Sequence, residues 1–204
     1  MIHSRPVALA ACAAFELLIY SKRMTTPQDT LTKWLEQSAA VRTRMVAGGG
    51  KPGVAEPEHF TGKTGLEQMQ AMLSGSMPYP PIAQTLDFAL VDVELGKATF
   101  QGTPQLMHYN PLGSVHGGWY ATLLDSAVGC AVHTMMPVGR GYTTAELSVN
   151  IVRAASHKTG PLRAIGTVVH CGKQLATAEG RIVGPDGKLY AHATTTCLVF
   201  EMPK

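Results

Sequence analysis

From residue 114 to residue 136 the sequence reads as one long helix with hardly a polar side. Val115, Trp119, Ala121, Leu123, Leu124, Ala127, Val128, Ala131 and Val132 fall around almost its whole circumference, and Pro137 and Gly139 stop it. A surface helix carries one apolar stripe, whereas a helix apolar all round has to be wrapped. The flanking segments offer the wrapping. Residues 86–94 alternate at their end, turn through Leu95-Gly96-Lys97 and return over 98–103. After the helix, Ala145, Leu147, Val149 and Ile151 alternate with Glu146, Ser148 and Asn150, the pattern of a half-buried strand. Residues 162–170, 174–183 and 189–200 supply three more strands, joined by Gly160-Pro161, Gly172-Lys173 and Gly184-Pro185-Asp186-Gly187, all turn chemistry. Two strands, a helix and four closely linked strands predict an α+β fold: a curved antiparallel sheet around one long central helix.

The residues ahead of this unit are helical in pattern. Pro27 and Asp29 suit a helix start, and Leu31, Trp34, Leu35, Ala39 and Val41 recur at helical spacing up to about Val46. Gly48-Gly49-Gly50-Lys51-Pro52-Gly53 reads as a flexible linker, without the strand context of a phosphate loop. A second short helix is expected over 64–73, before Pro78-Tyr79-Pro80-Pro81. The expected organisation is a helical extension over 25–81 and the sheet-and-helix domain over 82–204. Residues 1–24 carry an apolar stretch from Val7 to Tyr20, interrupted by Glu16. That stretch fits a start codon assigned too early, with Met24 the true start, a short helix, or a weak signal with Cys12 near its cleavage site.

Two features of the central helix are costly, and both make chemical sense. Gly117 and Gly118 stand in its first turn, at about 1 kcal/mol each relative to alanine. Asp125 is an ionisable group inside an apolar run, and an uncompensated buried carboxylate is expensive. Free amides at a helix start carry partial positive charge, and glycine lets a substrate oxygen come close to the backbone. Such a start would stabilise the oxyanion formed at an ester or thioester carbonyl. Each feature alone also has a plain structural reading: close packing for the glycines, a satisfied core carboxylate for Asp125, a helix cap for His116. Geometry adds a constraint. Gly117 and Asp125 are eight residues apart, ~12 Å along one helix, too far for a single carbonyl to touch both. Two antiparallel helices across a two-fold axis would bring the start of one to the middle of the other, which predicts a site shared between protomers.

The segment from about Ile82 to Phe200 resembles the PaaI-type acyl-CoA thioesterases of the hotdog-fold superfamily. The resemblance rests on Asn110-Pro111-Leu112-Gly113-Ser114-Val115-His116-Gly117-Gly118 with Asp125, on Gly141-Tyr142-Thr143-Thr144-Ala145-Glu146-Leu147, and on Tyr190-Ala191-His192-Ala193-Thr194-Thr195-Thr196-Cys197. It implies that Asp125 is the catalytic carboxylate and that the Gly117 amide polarises the thioester carbonyl. Asn110 then supports that carbonyl or orders its loop, and a hydroxyl early in the next strand, Thr144 or else Thr143, helps hold water. His116 and Gly118 complete the helix start. Coenzyme A is part of the substrate and no further cofactor is implied. Its phosphates call for a basic rim, for which Arg153, Lys158, Arg163 and Lys173 are candidates, with Arg153 and Lys173 the leading pair.

Composition narrows the alternatives. With 45% hydrophobic and 15% charged residues the chain is globular, and a net charge of +3 is too mild to argue for nucleic acid. There is no apolar run of about 20 residues in the body of the chain, so no stable membrane association is expected. Cys12, Cys130, Cys171 and Cys197 have no paired spacing, and the histidines no metal-ligand spacing, so neither a metal site nor a disulfide scaffold is predicted. Free thiols suit a reducing cytoplasm. The expected protein is therefore a cytoplasmic acyl-CoA thioesterase, a homodimer or homotetramer. Two other readings compete with it. One is a hotdog-fold hydratase or dehydratase using His116 as an acid–base group. The other is a non-catalytic acyl-CoA-binding or regulatory module, which would not need Asp125.

Overall fold

The computed structural model describes residues 26–202, so the readings of residues 1–24, Cys12 included, lie outside the described residues. Four helices come first: α1 (Pro27–Ala47), α2 (Pro57–Phe60), α3 (Gly65–Ser74) and α4 (Pro81–Thr85). Then follow β1 (Phe88–Glu94), β2 (Lys97–Gly102), a 3₁₀ turn at Leu106–His108, the central helix α5 (Gly117–Thr134), β3 (Arg140–Ile151), β4 (Leu162–Cys171), β5 (Leu175–Val183) and β6 (Leu189–Glu201). All six strands form one antiparallel sheet in the order β1-β2-β4-β5-β6-β3. It curves around α5, which gives the hotdog arrangement.

Helix and sheet meet at small residues. Gly166 of β4 and Gly180 of β5 are direct cross-strand partners beneath α5. A Cβ at Gly166 would lie 2.2 Å from the Ala127 carbonyl oxygen, and one at Gly180 would lie 2.6 Å from the Val128 side chain. The glycines therefore let the helix sink onto the sheet, and Leu123, Leu124, Ala127, Val128, Ala131 and Val132 lose all contact with solvent. The wrapping is incomplete, however. Ala121, Thr122, Asp125 and Ser126 are only half-buried and Gly118 is exposed, so one narrow side of α5 stays uncovered in the single chain.

Strand β3 begins earlier than its alternation suggests, at Arg140. A bulge explains this. Thr144 pairs with Cys197 and Glu146 with Thr196, leaving Ala145 as the extra residue. Above the bulge the even-numbered Tyr142 and Thr144 turn toward α5; below it the odd-numbered Leu147 and Val149 enter the core. Ala145, expected on the inward face, is exposed for that reason.

The upstream helices are built onto the domain rather than tethered to it. Helix α1 opens on a reciprocal Thr26–Asp29 capping box and α3 on a Thr64–Glu67 one. The glycine run expected to be a flexible linker is a packed crossing: a Cβ at Gly48 would lie 2.1 Å from the Ser74 carbonyl oxygen, and one at Gly75 2.0 Å from that of Met45. Arg163 corrects a further expectation. It is buried, not on a basic rim: its guanidinium stacks on Trp34 at 4.6 Å and donates to Gln101 Oε1 at 3.0 Å and Gln37 Oε1 at 2.9 Å. Burial lowers its pKa to about 10. The Gln37 amide in turn donates to the carbonyl of Val91, the bulged residue of β1, at 3.2 Å. No helix among the described residues is long and apolar enough to cross a membrane.

Candidate active site

The loop ahead of α5 is ordered by Asn110. Its Oδ1 accepts from the amides of Leu112 at 3.0 Å and Ser114 at 3.2 Å, and its Nδ2 donates to Ser114 Oγ at 3.0 Å. His116 is the N-cap of the helix, and its Nδ1 accepts from the Gly118 amide at 2.9 Å. The next amide, of Trp119, bonds to the His116 carbonyl. The Gly117 amide has no acceptor among the described residues and is left pointing out of the helix start. A Cβ there would meet only the tip of Ile151 at 3.3 Å.

Two turns further along α5, Asp125 faces β3. Thr144 Oγ1 donates to its Oδ1 at 3.2 Å. Of the two threonines that could have met the carboxylate, the bulge after Thr144 selects this one; Thr143 is exposed and borders the same space. Asp125, Thr143 and Thr144 line a cleft of about 1020 Å³ that runs past Tyr142 and His133 to the loop around Phe60. Asn110, His116, Gly117, Gly118, Arg153 and Lys173 do not line it. One chain thus brings Asp125, Thr144 and Thr143 together and holds the helix start apart from them.

Neighbouring groups are chemically quiet. Burial, then the charge of Asp125, pushes the Cys130 thiol up to about 12, which leaves it without nucleophilic character at neutral pH. The Tyr142 phenol is raised well above its ordinary range, first by burial. Burial holds His133 below its ordinary value, which favours the neutral ring, and its Nε2 lies 2.7 Å from Gln68 Oε1. Gln68 and Phe60 on the cleft wall were missed by the sequence reading, since nothing in their spacing couples them to a helix 65 residues away. On the outer surface, Arg153 donates from Nε to the Leu189 carbonyl at 3.3 Å with its plane over Tyr190, and Lys173 is exposed, its carbonyl accepting from Arg140. Among the described residues no group of three His, Cys, Asp or Glu side chains could hold a metal ion.

Residues 112–191 match the family model of the thioesterase superfamily. A presumed esterase of Halobacterium salinarum is 40% identical over 75 residues, 36% of this chain and 48% of that protein. The chain thus spans about half the length of the curated relative it matches. Among solved structures, a presumed thioesterase of Ralstonia eutropha, related to phenylacetic acid degradation, superposes with a TM-score of 0.58 at 29% identity, over 63% of this chain and 97% of that one. The PaaI protein of the E. coli phenylacetic acid degradation operon shares the fold, with a TM-score of 0.54 at 23% identity, over 59% of this chain and 85% of that one.

Proposed function

We propose, from the match of residues 112–191 to the thioesterase superfamily, that the chain hydrolyses an acyl-CoA thioester to the free acid and coenzyme A. The observation that carries the proposal is the Asp125–Thr144 pair at 3.2 Å, set in the wall of a cleft large enough for an acyl group. Thr144 occupies Oδ1 of the carboxylate and leaves Oδ2 for a water molecule. That water attacks the thioester carbonyl carbon while Asp125 takes its proton. The tetrahedral oxyanion is met by a Gly117 amide, which Asn110 and His116 keep free by ordering the loop and occupying the neighbouring amide. Collapse expels the coenzyme A thiolate, which recovers the proton from Asp125.

The Gly117 amide belongs to a second protomer. Eight residues of helix separate Gly117 from Asp125, ~12 Å, and the uncovered side of α5 along Gly118, Ala121, Thr122, Asp125 and Ser126 offers small residues against which a second α5 can lie. The free edge of β3 lies on the same side of the sheet order as the Asp125 wall. Coenzyme A phosphates would meet exposed cations, with Arg153 and Lys173 the candidates. A panel of acetyl-, hexanoyl-, decanoyl- and phenylacetyl-CoA, with release of thiol as the readout, tests the reading. Hydrolysis of at least one member should fall by ~10²–10⁴ in Asp125→Asn with the fold retained; full activity in that variant removes Asp125 from the mechanism.

A further inference from the structure

The cleft that holds Asp125 is not closed by the thioesterase-superfamily segment alone. From Asp125 it follows α5 for eight residues to His133, ~12 Å, and its far wall comes from the upstream helices, through Ala55, Pro57, Phe60 and Gln68. That wall is fixed to the same helix that carries the carboxylate. The Gly65 amide donates to the Met136 carbonyl beyond the end of α5 at 2.9 Å. Gly65 also sits so close to α5 that a Cβ on it would lie 1.7 Å from the His133 carbonyl oxygen. Gln68, buried, accepts on Oε1 from His133 Nε2 at 2.7 Å and donates from Nε2 to the Lys63 carbonyl at 3.0 Å, which leaves neither end of its amide free.

We propose that this upstream wall, with Phe60 and Ala55 its adjustable members, forms the end of the acyl pocket and sets which acyl groups the site accepts: apolar chains that reach from the carboxylate to Phe60. The inference rests on the thioesterase reading and adds the substrate end to it. Coenzyme A is a poor occupant of this arm. Its phosphates require free cations, and the far end presents Phe60, Pro57, Ala55 and Val138 instead; the one arginine on the wall, Arg140, stands at the start of β3, where its Nη2 donates to the Lys173 carbonyl and its buried Nε has no partner among the described residues. Phe60 belongs to a four-residue helix and is only half-buried, so its ring serves the cleft more than the core.

The test uses the full chain with Phe60→Ala, which lengthens the arm, and Ala55→Trp, which fills it, each checked for unchanged circular dichroism and melting temperature. Two readouts run in parallel: kcat/KM on acetyl-, hexanoyl- and decanoyl-CoA, and affinity for the matching S-alkyl-CoA thioethers by calorimetry. The ratio of decanoyl to hexanoyl should rise by about tenfold or more in Phe60→Ala and fall by a similar factor in Ala55→Trp. Hydrolysis with an unchanged ratio in both variants overturns the wall and keeps the thioesterase. Thioether preferences that shift as expected without hydrolysis of any thioester keep the wall and overturn the thioesterase. A uniform change in affinity for all thioethers and for coenzyme A alone places coenzyme A, not the acyl chain, in this arm and overturns the proposal.

Discussion

Thr144→Val is the sharpest probe of the proposed chemistry, because it keeps size and β-branching and deletes one hydroxyl. The bond lost is a neutral donor to a carboxylate, 3.2 Å long, on a half-buried acid. Hydrogen bonds to charged groups contribute about 1.5–3 kcal/mol. The length, beyond the usual range for a hydroxyl donor, points to the lower end. About 1.5 kcal/mol corresponds to roughly a tenfold loss of kcat/KM, followed by thiol release from the best acyl-CoA. Thr144→Ser keeps the donor and should recover most of the rate. The double-mutant cycle isolates the pair: in an Asp125→Asn background, Thr144→Val should cost less than about twofold, since there is no charge left to orient. Equal losses in both backgrounds would show that Thr144 acts on something other than Asp125, and the role assigned to the pair would be wrong.

Other perturbations address the shared site, the packing and the quiet thiol. Gly117→Ala should fold, because its methyl meets only the mobile tip of Ile151 at 3.3 Å, yet turn over slowly. Mixing Gly117→Ala with Asp125→Asn protein and letting protomers exchange should restore roughly a quarter of the activity, because half of the sites in mixed dimers are intact; no recovery after demonstrated exchange would place both groups of a site in one chain. Gly166→Ala puts a methyl 2.2 Å from a backbone oxygen that cannot swing aside, so an overpacking cost of about 3 kcal/mol and a melting temperature lower by roughly 6–12 °C are expected by calorimetry. Cys130, with its pKa pushed up from 9.0 to about 12, holds its proton at pH 8. Iodoacetamide should therefore label Cys130 only after unfolding, as peptide mass analysis would report, and rapid labelling of native protein would contradict its burial.

The central helix and the strands were legible because their apolar spacing is dictated by burial on one face or all round. The Gly117–Asp125 separation was legible as arithmetic, since helical rise fixes it whatever the tertiary structure. The choice between Thr143 and Thr144 was not, because it depends on a bulge at Ala145 that exists only once β6 supplies the register. Likewise the glycines at 48–50 look like slack until Met45, Ser74 and Gly75 are seen crowding them. Arg163 illustrates the same limit from the electrostatic side. A cation in a turn-rich, acid-free stretch reads as surface, and only the arrival of Trp34 and Gln37 from 126 or more residues away makes it an interior clamp.

The two margins of the sheet are unlike. At one, β1 is broken by a bulge at Val91 and packed by α1, α3 and α4; at the other, β3 runs twelve residues with β6 on one side and, among the described residues, no strand on the next. A sheet with two open margins has a valence of two and can polymerise into a ribbon, which is how strand edges lead to fibres. This one has a valence of one. Pairing along β3 would exhaust it, since the assembly so formed presents only blunted margins to further copies. The upstream helices crowd the β1 margin, and Gln37 of α1 takes up the Val91 carbonyl there. Their removal would restore a second growing end, and with it the hazard of open-ended association.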